Sequence, residues 1–164
     1  MASPATPVRD TDDEARELAR DLIRSARTAA LAVTDPATGA PFVSRIAVGT
    51  LPPGRIATLV SSLALHTRAL RADPRCALLF GEPGARGDPL NHPRLSLTAL
   101  ARFEPAGSAG HAVLRTGWLS IHPKAKLYAD FADFAFAVFQ PLAGSLNGGF
   151  ARAYALLPED IRLD

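Results

Sequence analysis

The sequence contains few or none of the features that mark several specialised classes of protein. Its one cysteine, Cys76, cannot form an internal disulfide, and lysine occurs only at Lys124 and Lys126. No segment approaches the roughly 18 apolar residues of a membrane-spanning helix, and the N-terminus lacks the basic start and apolar run of a secretory signal. We therefore expect a cytoplasmic protein with no membrane partner.

Motifs of several enzyme classes are also absent. The chain has no GxGxxG after a strand, no Walker phosphate loop and no GxSxG nucleophile elbow. Its 4 histidines lack the short spacing of a metal site, and Cys76 lies in an apolar run, where cysteines are usually unreactive. We expect neither a metal centre nor a cysteine nucleophile.

Charge gives little indication of a nucleic-acid partner. The chain has 18 Lys and Arg against 16 Asp and Glu, so its formal net charge is only +2. The arginines are scattered and no basic run alternates with aromatic residues, so we expect no nucleic-acid partner. At 164 residues, of which 48% are apolar, the chain can bury a core of its own.

The chain is predicted to form a single domain with three helices. Residues 1–10 are expected to be a disordered lead, residues 11–157 the domain and residues 158–164 a C-terminal tail. The first helix is predicted from the capping-box spacing of "TDDE" to about Arg27, a short second one follows "LVSS", and the third ends near His122. No repeat or linker divides the domain.

Six or seven strands are predicted in the same domain. Turn residues in "PATG" and "LPPG" separate "TAALAVTD", "PFVSRIAVGTL" and "RIATLVSS", which predicts three consecutive antiparallel strands. "RCALLFG", "RLSLTALARFE" and "FAFAVFQP" predict three more, and "GGFARAYAL" a seventh. These connections are too short for a parallel α/β fold, so we expect a mainly β protein: a closed or nearly closed antiparallel barrel with peripheral helices.

The stretch "LVSSLALHTRAL" gathers polar residues where the third strand leads into the short helix. Ser61 and Ser62 would place hydroxyls beside the unpaired N–H groups of the helix start, where an anion is stabilised. Arg68 could add a bidentate contact that suits a phosphate. From the residues alone the favoured alternative is an ordinary turn, with His66 at the surface and Arg68 paired to a carboxylate.

Two further segments are candidates for a ligand site. In "FVSRIAV", Ser44 and Arg45 interrupt an apolar strand that could lie beside Ser61 and Ser62, although Arg45 could equally face solvent by alternation. In "NGGFARA", the paired glycines permit close approach to a flat ligand, although a bulge or turn is commoner. The Asp-Phe pairs of "LYADFADFAF" are better explained by a core or an interface than by a ligand wall.

Taken in order, these segments resemble the flavin-binding split-barrel proteins of the pyridoxamine 5′-phosphate oxidase-like superfamily, with the haem-utilisation (HugZ-like) branch nearest. The resemblance runs from about Arg20 to Tyr154. It implies a six-stranded split barrel that forms a homodimer, binds FMN at the subunit interface and acts as an FMN-dependent oxidoreductase on a small-molecule substrate. No residue is assigned a catalytic role, and neither the substrate nor the electron donor is identified.

The resemblance also implies which residues contact the cofactor. In the family the second strand lies against the flavin ring, the end of the third strand and the following helix hold the phosphate and ribityl chain, and the first residues of the fifth strand and the Gly-Gly segment add contacts, some from the other subunit. With this resemblance the anion site becomes the favoured interpretation of the serine junction. The matching positions are Val43, Ser44, Arg45, Ile46, Ser61, Ser62, His66, Thr67, Arg68, Arg94, Phe150 and Arg152.

Some positions depart from the family pattern, and other functions stay open. Ala69 stands where relatives often have asparagine and Ala151 where they have glycine, and the chain lacks the basic C-terminal segment of vitamin B6 oxidases, so B6 oxidation is not expected. One alternative is a haem-binding or haem-degrading protein with a histidine as axial ligand. Others are a non-enzymatic flavin-binding dimer and a deazaflavin such as F420 in place of FMN.

Overall fold

The computed structural model describes residues 8–163, which form three α-helices and nine β-strands, and the strands belong to one sheet. Most of the predicted disordered lead therefore lies outside the described residues. In chain order the elements are β1 Val8–Arg9, α1 Asp13–Ser25, β2 Thr28–Thr34, β3 Pro41–Ala47, β4 Gly49–Leu51, β5 Arg55–Ser61, α2 Leu65–Ala72, β6 Arg75–Phe80, β7 Arg94–Phe103, α3 Ala109–Ile121, β8 Phe134–Asn147 and β9 Ala153–Leu156. Short 3-10 helices span Pro89–Asn91, Pro123–Leu127 and Pro158–Ile161.

The strands form a split barrel. The hydrogen-bonded order is β3-β2-β6-β7-β8, after which β5 and β4 continue along one part of the outer edge of β8 and β9 and β1 along another. β4 follows β3 after the single residue Val48, and the Thr58 hydroxyl of β5 donates to the Ala47 carbonyl of β3 at 2.7 Å. The two ends of the sheet thus approach each other, and the prediction of a mainly β barrel with peripheral helices is confirmed.

β8 is much longer than the sequence predicts. It pairs with β7 along one edge, while its first six residues pair with β5 and its last four with β9 on the other. Pro141, which cannot donate to a ladder, lies beside the register shift at Thr98 and Ala99 of β7, so the strand continues past it. The prediction that the sixth strand ends at this proline is therefore wrong, and in "GGFARAYAL" only Ala153–Leu156 is strand.

Two hydrophobic clusters fill the barrel and the space beneath the helices. One cluster joins the barrel interior to the apolar face of α1, where Ala15, Ala19 and Ile23 are buried at the four-residue spacing of one helical face. The other lies between α3 and the β5–β8 part of the sheet and centres on Trp118 and Phe136. Each face of the sheet is therefore packed against at least one helix.

Both ends of the described chain are attached to the domain. Val8–Arg9 pairs in parallel with β9, which differs from the disordered lead predicted there. In the predicted tail, Ile161 is buried and the Asp160 carboxylate accepts from the Arg16 Nε at 2.7 Å and from the Leu157 N–H at 2.8 Å. Among the described residues, no helix has the length and apolar character needed to cross a bilayer.

Candidate functional site

The junction between β5 and α2 leaves a helix N-terminus without a side-chain cap. α2 begins at Leu65, and its N-cap residue is Ala64, which has no side-chain oxygen to accept from the N–H groups of the first turn. The first N–H groups of an α-helix have no partner within the helix, and together with the helix dipole they stabilise a negative charge. The local geometry therefore suits an anion, as the serine-rich junction predicts.

Ser61 and Ser62 are already engaged at this junction. The Ser61 hydroxyl donates to the Asp133 Oδ2 at 2.6 Å and accepts from the Leu63 N–H at 3.2 Å. The Ser62 N–H donates to the Asp133 backbone oxygen at 2.7 Å, whereas the Ser62 side chain is exposed. The hydroxyl proton of Ser61 is thus committed to a carboxylate of the same chain, which differs from the predicted convergence of both serines on a bound anion.

The two helix residues that follow are placed very differently. Thr67 is fully buried, and its hydroxyl has no hydrogen-bond partner in the described part of the chain, so it does not face a ligand at the surface. Arg68 is exposed, forms no ion pair with any residue that the structure describes, and its one hydrogen bond is a long one of 3.3 Å to the Leu63 carbonyl. Most of the guanidinium donors of Arg68 are therefore available to an anion, and no carboxylate of the described residues takes the place of the predicted alternative partner.

β3 meets α2 through one polar contact. The Ser44 Oγ lies 3.1 Å from the His66 Nδ1, so the strand approaches the helix start at His66 and not at Ser61 or Ser62. Burial lowers the pKa of His66, which keeps its imidazole neutral at neutral pH. Its Nε2 forms no hydrogen bond with any residue from 8 to 163, and this ring nitrogen lies beside the helix N-terminus.

The remaining predicted residues of β3 alternate between two environments. Val43 is 62% exposed and Arg45 is exposed, whereas Ile46 is buried in the core. The side chains available to a ligand on this strand are therefore Val43 and Arg45, and Ile46 can contribute only backbone atoms. The interpretation in which Arg45 faces solvent by alternation holds for the single chain.

A second group of predicted residues lies where β7 begins and β9 follows β8. Arg94 donates to the Leu90 carbonyl at 2.8 Å, and Arg152 forms an ion pair of 2.6 Å with Glu14 of α1. Phe150 is 87% exposed at the tip of the turn between β8 and β9. Arg152 thus has a structural partner within the chain, while Phe150 has a large apolar surface in water.

Positive φ angles shape this turn. Gly149 has a φ of +110°, and a Cβ there would lie 3.1 Å from the Asn91 backbone oxygen, so the glycine permits a close approach between two loops. Ala151, which stands where relatives often have glycine, has a φ of 57°. The turn therefore keeps the left-handed conformation that glycine favours even though residue 151 has a side chain.

Ser61 and Arg94, one residue from each predicted group, lie at opposite ends of β8. Ser61 is paired with Phe134, the first residue of the strand, and Arg94 with Asn147, the last. At about 3.3 Å per residue this separation corresponds to about 40 Å of strand. Ser61 and Arg94 are therefore separated by most of the length of β8, whereas Ser44 and His66 are in contact.

Sequence reasoning missed the carboxylate at the junction. The sequence predicts only that Asp133 lies in a connection whose aromatic residues form core or interface. In the structure it contacts Ser61, 72 positions earlier in the chain. No local spacing relates these two residues, because their contact depends on the pairing of β5 with β8. Only a prediction of strand order could have indicated this contact.

The cysteine and the histidines offer no other clear site. Burial raises the pKa of the Cys76 thiol to about 12, which makes it unreactive at neutral pH. His92 and His122 each have Nε2 bonded to a backbone carbonyl, at 3.0 and 2.8 Å. Across residues 8–163, no group of three or more His, Cys, Asp or Glu side chains is arranged to hold a metal ion.

Comparison with known proteins identifies relatives over nearly the whole domain. The family model for pyridoxamine 5′-phosphate oxidase matches residues 15–146. The chloroplastic non-canonical heme oxygenase of Arabidopsis thaliana is 35% identical over 95 residues, which are 58% of this chain and 28% of that protein. The present chain thus spans less than a third of the length of that relative.

Solved structures with similar sequences have the same fold as this chain. One is 43% identical with a TM-score of 0.84, and the match covers 95% of this chain and 100% of that one. A heme binding protein from Mycobacterium smegmatis is 28% identical with a TM-score of 0.79, over 98% of this chain and 61% of that one. Because the family model covers most of the domain and the barrel is the expected one, the chain belongs to the pyridoxamine 5′-phosphate oxidase-like family.

Proposed function

We propose that the protein is a cytoplasmic flavoprotein that binds FMN by its phosphate at the N-terminus of α2 and acts as an oxidoreductase on a small-molecule substrate. The observation that carries this proposal is the start of α2, which lacks a side-chain cap, beside the exposed guanidinium of Arg68, which forms no ion pair with a described residue. Backbone N–H groups and a bidentate guanidinium are the donors that a phosphate requires. Membership of a family named for a flavin-dependent oxidase supports the same proposal.

The donor set of the chain fits the phosphate end of FMN. The first-turn N–H groups of α2, the Arg68 guanidinium and the exposed Ser62 hydroxyl would hold the phosphate, and the exposed side chains of β3 would contact the ring. The flavin, when bound, supplies the hydride chemistry. The residues of the chain bind it, orient it and exclude water from one face. No described side chain has the position of a general acid or base at this site.

A homodimer would complete the site. Ser61 pairs with the first residue of β8 and Arg94 with the last, so about 40 Å of strand separates these two predicted contacts. A second copy of the chain could place its own Phe150 and Arg94 near the α2 site of the first. The large exposed side chains Val43, Leu90 and Phe150 support this arrangement, because exposed apolar surface of this kind commonly marks an interface.

The direct test is a visible spectrum of the purified protein after saturation with FMN and desalting, with light scattering on the same sample. We expect the absorption bands of bound flavin and the mass of a dimer. A colourless protein would contradict the proposed cofactor, and a flavin-loaded monomer would contradict the shared site. Reduction of the bound flavin by NADH or NADPH would then separate an oxidoreductase from a non-enzymatic flavin carrier.

Replacing Arg68 with alanine is expected to weaken FMN binding by roughly 1–3 kcal/mol, because a charge-assisted contact to the phosphate is lost. The matched control is Arg71→Ala on the same helix, whose guanidinium lies 4.1 Å from the centre of the Phe103 ring and away from the helix start. Fluorescence titration measures both affinities. Equal affinities for Arg68→Ala and the parent protein would remove Arg68 from the phosphate site.

Haem is a second candidate ligand, favoured by two observations. Two relatives with substantial identity are described as a heme oxygenase and a heme binding protein. In this chain the Ser44 hydroxyl can accept from the His66 Nδ1–H, which would leave the lone pair of Nε2 available to an iron. Because its pKa is lowered by burial, His66 is neutral at neutral pH, as an axial ligand must be.

Replacing His66 with alanine is expected to abolish a haemin-induced Soret shift if haem is the physiological ligand. His92→Ala is the control, because the His92 Nε2 is bonded to the Arg86 carbonyl and is not available to a metal. The measurement is a haemin titration followed by absorption spectroscopy. A Soret shift of equal size in parent protein and His66→Ala would exclude His66 as the axial ligand.

A further inference from the structure

Asp133 lies at the proposed phosphate site and is itself an anion. Its backbone oxygen accepts from the Ser62 N–H and its Oδ2 accepts from the Ser61 hydroxyl, at 2.7 and 2.6 Å. It is half-buried, and no Lys, Arg or His among residues 8–163 forms an ion pair with it. The Asp133 carboxylate therefore occupies the hydroxyl of Ser61, and the neutral backbone carbonyl of Asp133 occupies the Ser62 N–H.

These contacts leave a phosphate fewer donors than the sequence suggests. Ser61 has a single hydroxyl proton, which cannot serve Asp133 and a ligand oxygen at the same time. A phosphate at the start of α2 would in addition lie close to an unpaired carboxylate, and like charges at short range repel. Binding of a phosphate must therefore either displace Asp133 from Ser61 or tolerate its charge.

We propose that Asp133 is a specificity-determining residue, an internal anion that competes with the cofactor phosphate for Ser61 and so weakens the binding of doubly charged phosphate ligands. This inference rests on the proposed function, since it concerns the same site. Its chemical consequence is selectivity: a ligand without a phosphate group, such as riboflavin, is not opposed by Asp133, whereas FMN is. The contact lies at the point where β8 begins, so Asp133 is held in place by the pairing of β8 with β5.

The test compares FMN and riboflavin affinities in the full chain and in Asp133→Asn. The asparagine has the same shape but no charge, so we expect FMN to bind about tenfold more tightly and riboflavin to bind with unchanged affinity. Asp133→Ala, which frees the Ser61 hydroxyl completely, should give at least the same gain. Thermal unfolding of each variant shows whether the fold is retained. If only one of Asp133→Asn and Asp133→Ala folds, its FMN and riboflavin affinities are sufficient to test the proposal.

Asp130→Asn is the matched control. It removes one negative charge from the same connection, but Asp130 is paired with Arg115 on α3, through contacts of 2.6 Å, and not with the serines. We expect its FMN affinity to equal that of the parent protein. An equal gain in Asp130→Asn, or an equal gain for riboflavin in Asp133→Asn, would overturn the proposal, because the effect would then be unrelated to the phosphate at Ser61.

The outcomes separate this inference from the proposed function. If the parent protein binds FMN and the Asp133 variants bind it no better, the competition is refuted while the flavin site stands. If only the Asp133 variants bind FMN, the competition is supported and the parent protein is not a resident FMN protein. If neither parent nor variants bind FMN, both the flavin site and the competition are refuted.

Discussion

Replacing Phe136 with alanine is expected to lower the free energy of unfolding by about 3–5 kcal/mol. The Phe136 side chain is fully buried in the part of β8 that pairs with β5. Its ring makes edge contacts with Trp118 of α3 at a centroid distance of 6.0 Å and with His111 at 5.4 Å. The alanine would leave a cavity between the sheet and α3, and the lost aromatic contacts add to the loss of buried apolar surface.

Phe131→Ala provides the comparison for this effect. Phe131 precedes β8 and is 58% exposed, so removing its ring exposes little new surface and should change the stability by about 0.5 kcal/mol. Urea unfolding followed by circular dichroism measures both variants. If Phe136→Ala and Phe131→Ala were equally stable, the packing of α3 on the sheet would have to be wrong.

Replacing Asp160 with asparagine is expected to cost about 2 kcal/mol of stability at neutral pH, because two hydrogen bonds to a carboxylate are weakened together. Asp160 is 7% exposed and connects the C-terminal 3-10 helix to Arg16 of α1 and to the Leu157 N–H. The control is Glu159→Gln, an exposed neighbour without such contacts, which should be nearly neutral. Thermal unfolding measures the difference, and equal stabilities would contradict a structural role for the tail.

The effect of Asp160 should also depend on pH in a defined direction. Burial by itself would raise the pKa of Asp160, but the hydrogen bonds from Arg16 and Leu157 outweigh burial and hold the pKa below its ordinary value. A lowered pKa in the folded state adds stability above the ordinary pKa, near 4, and that stability is lost as the pH falls through the folded pKa. The difference in stability between the parent protein and Asp160→Asn should therefore shrink below about pH 4. A difference that stays constant down to pH 2 would contradict this linkage.

Elements that depend on neighbouring residues were predictable from the sequence. The apolar spacing of α1, the hairpin of β2 and β3, and the short α2 all follow from period and turn residues within a few positions. The end of β8 was not predictable in this way, because proline normally ends a strand. Pro141 is tolerated within β8 because it lies where the register shifts against β7. Local sequence patterns indicate where helices and strands form, and the pairing between strands determines how far each strand extends.

In the candidate site, too, contacts between residues close in sequence were predictable and contacts between distant segments were not. The helix start and Arg68 were predicted correctly as neighbours, because they are adjacent in sequence. The contacts of Ser61 with Asp133 and of Ser44 with His66 were not predicted, because they depend on which strands meet. Thr67 is buried because the face of α2 that carries it packs on the barrel. The sequence of an eight-residue helix is too short to indicate which of its faces is buried.

The pairing of β8 also determines when the barrel can form as the chain is made. β5 is complete at Ser61, but its hydrogen-bonding partner begins only at Phe134. A ribosome must therefore add more than seventy further residues before the outer edge of β5 is covered. During that interval β5, rich in valine, isoleucine and leucine, is an open strand edge of the kind that pairs with other chains. This edge of β5 is consequently exposed in the nascent chain until β8 has been made.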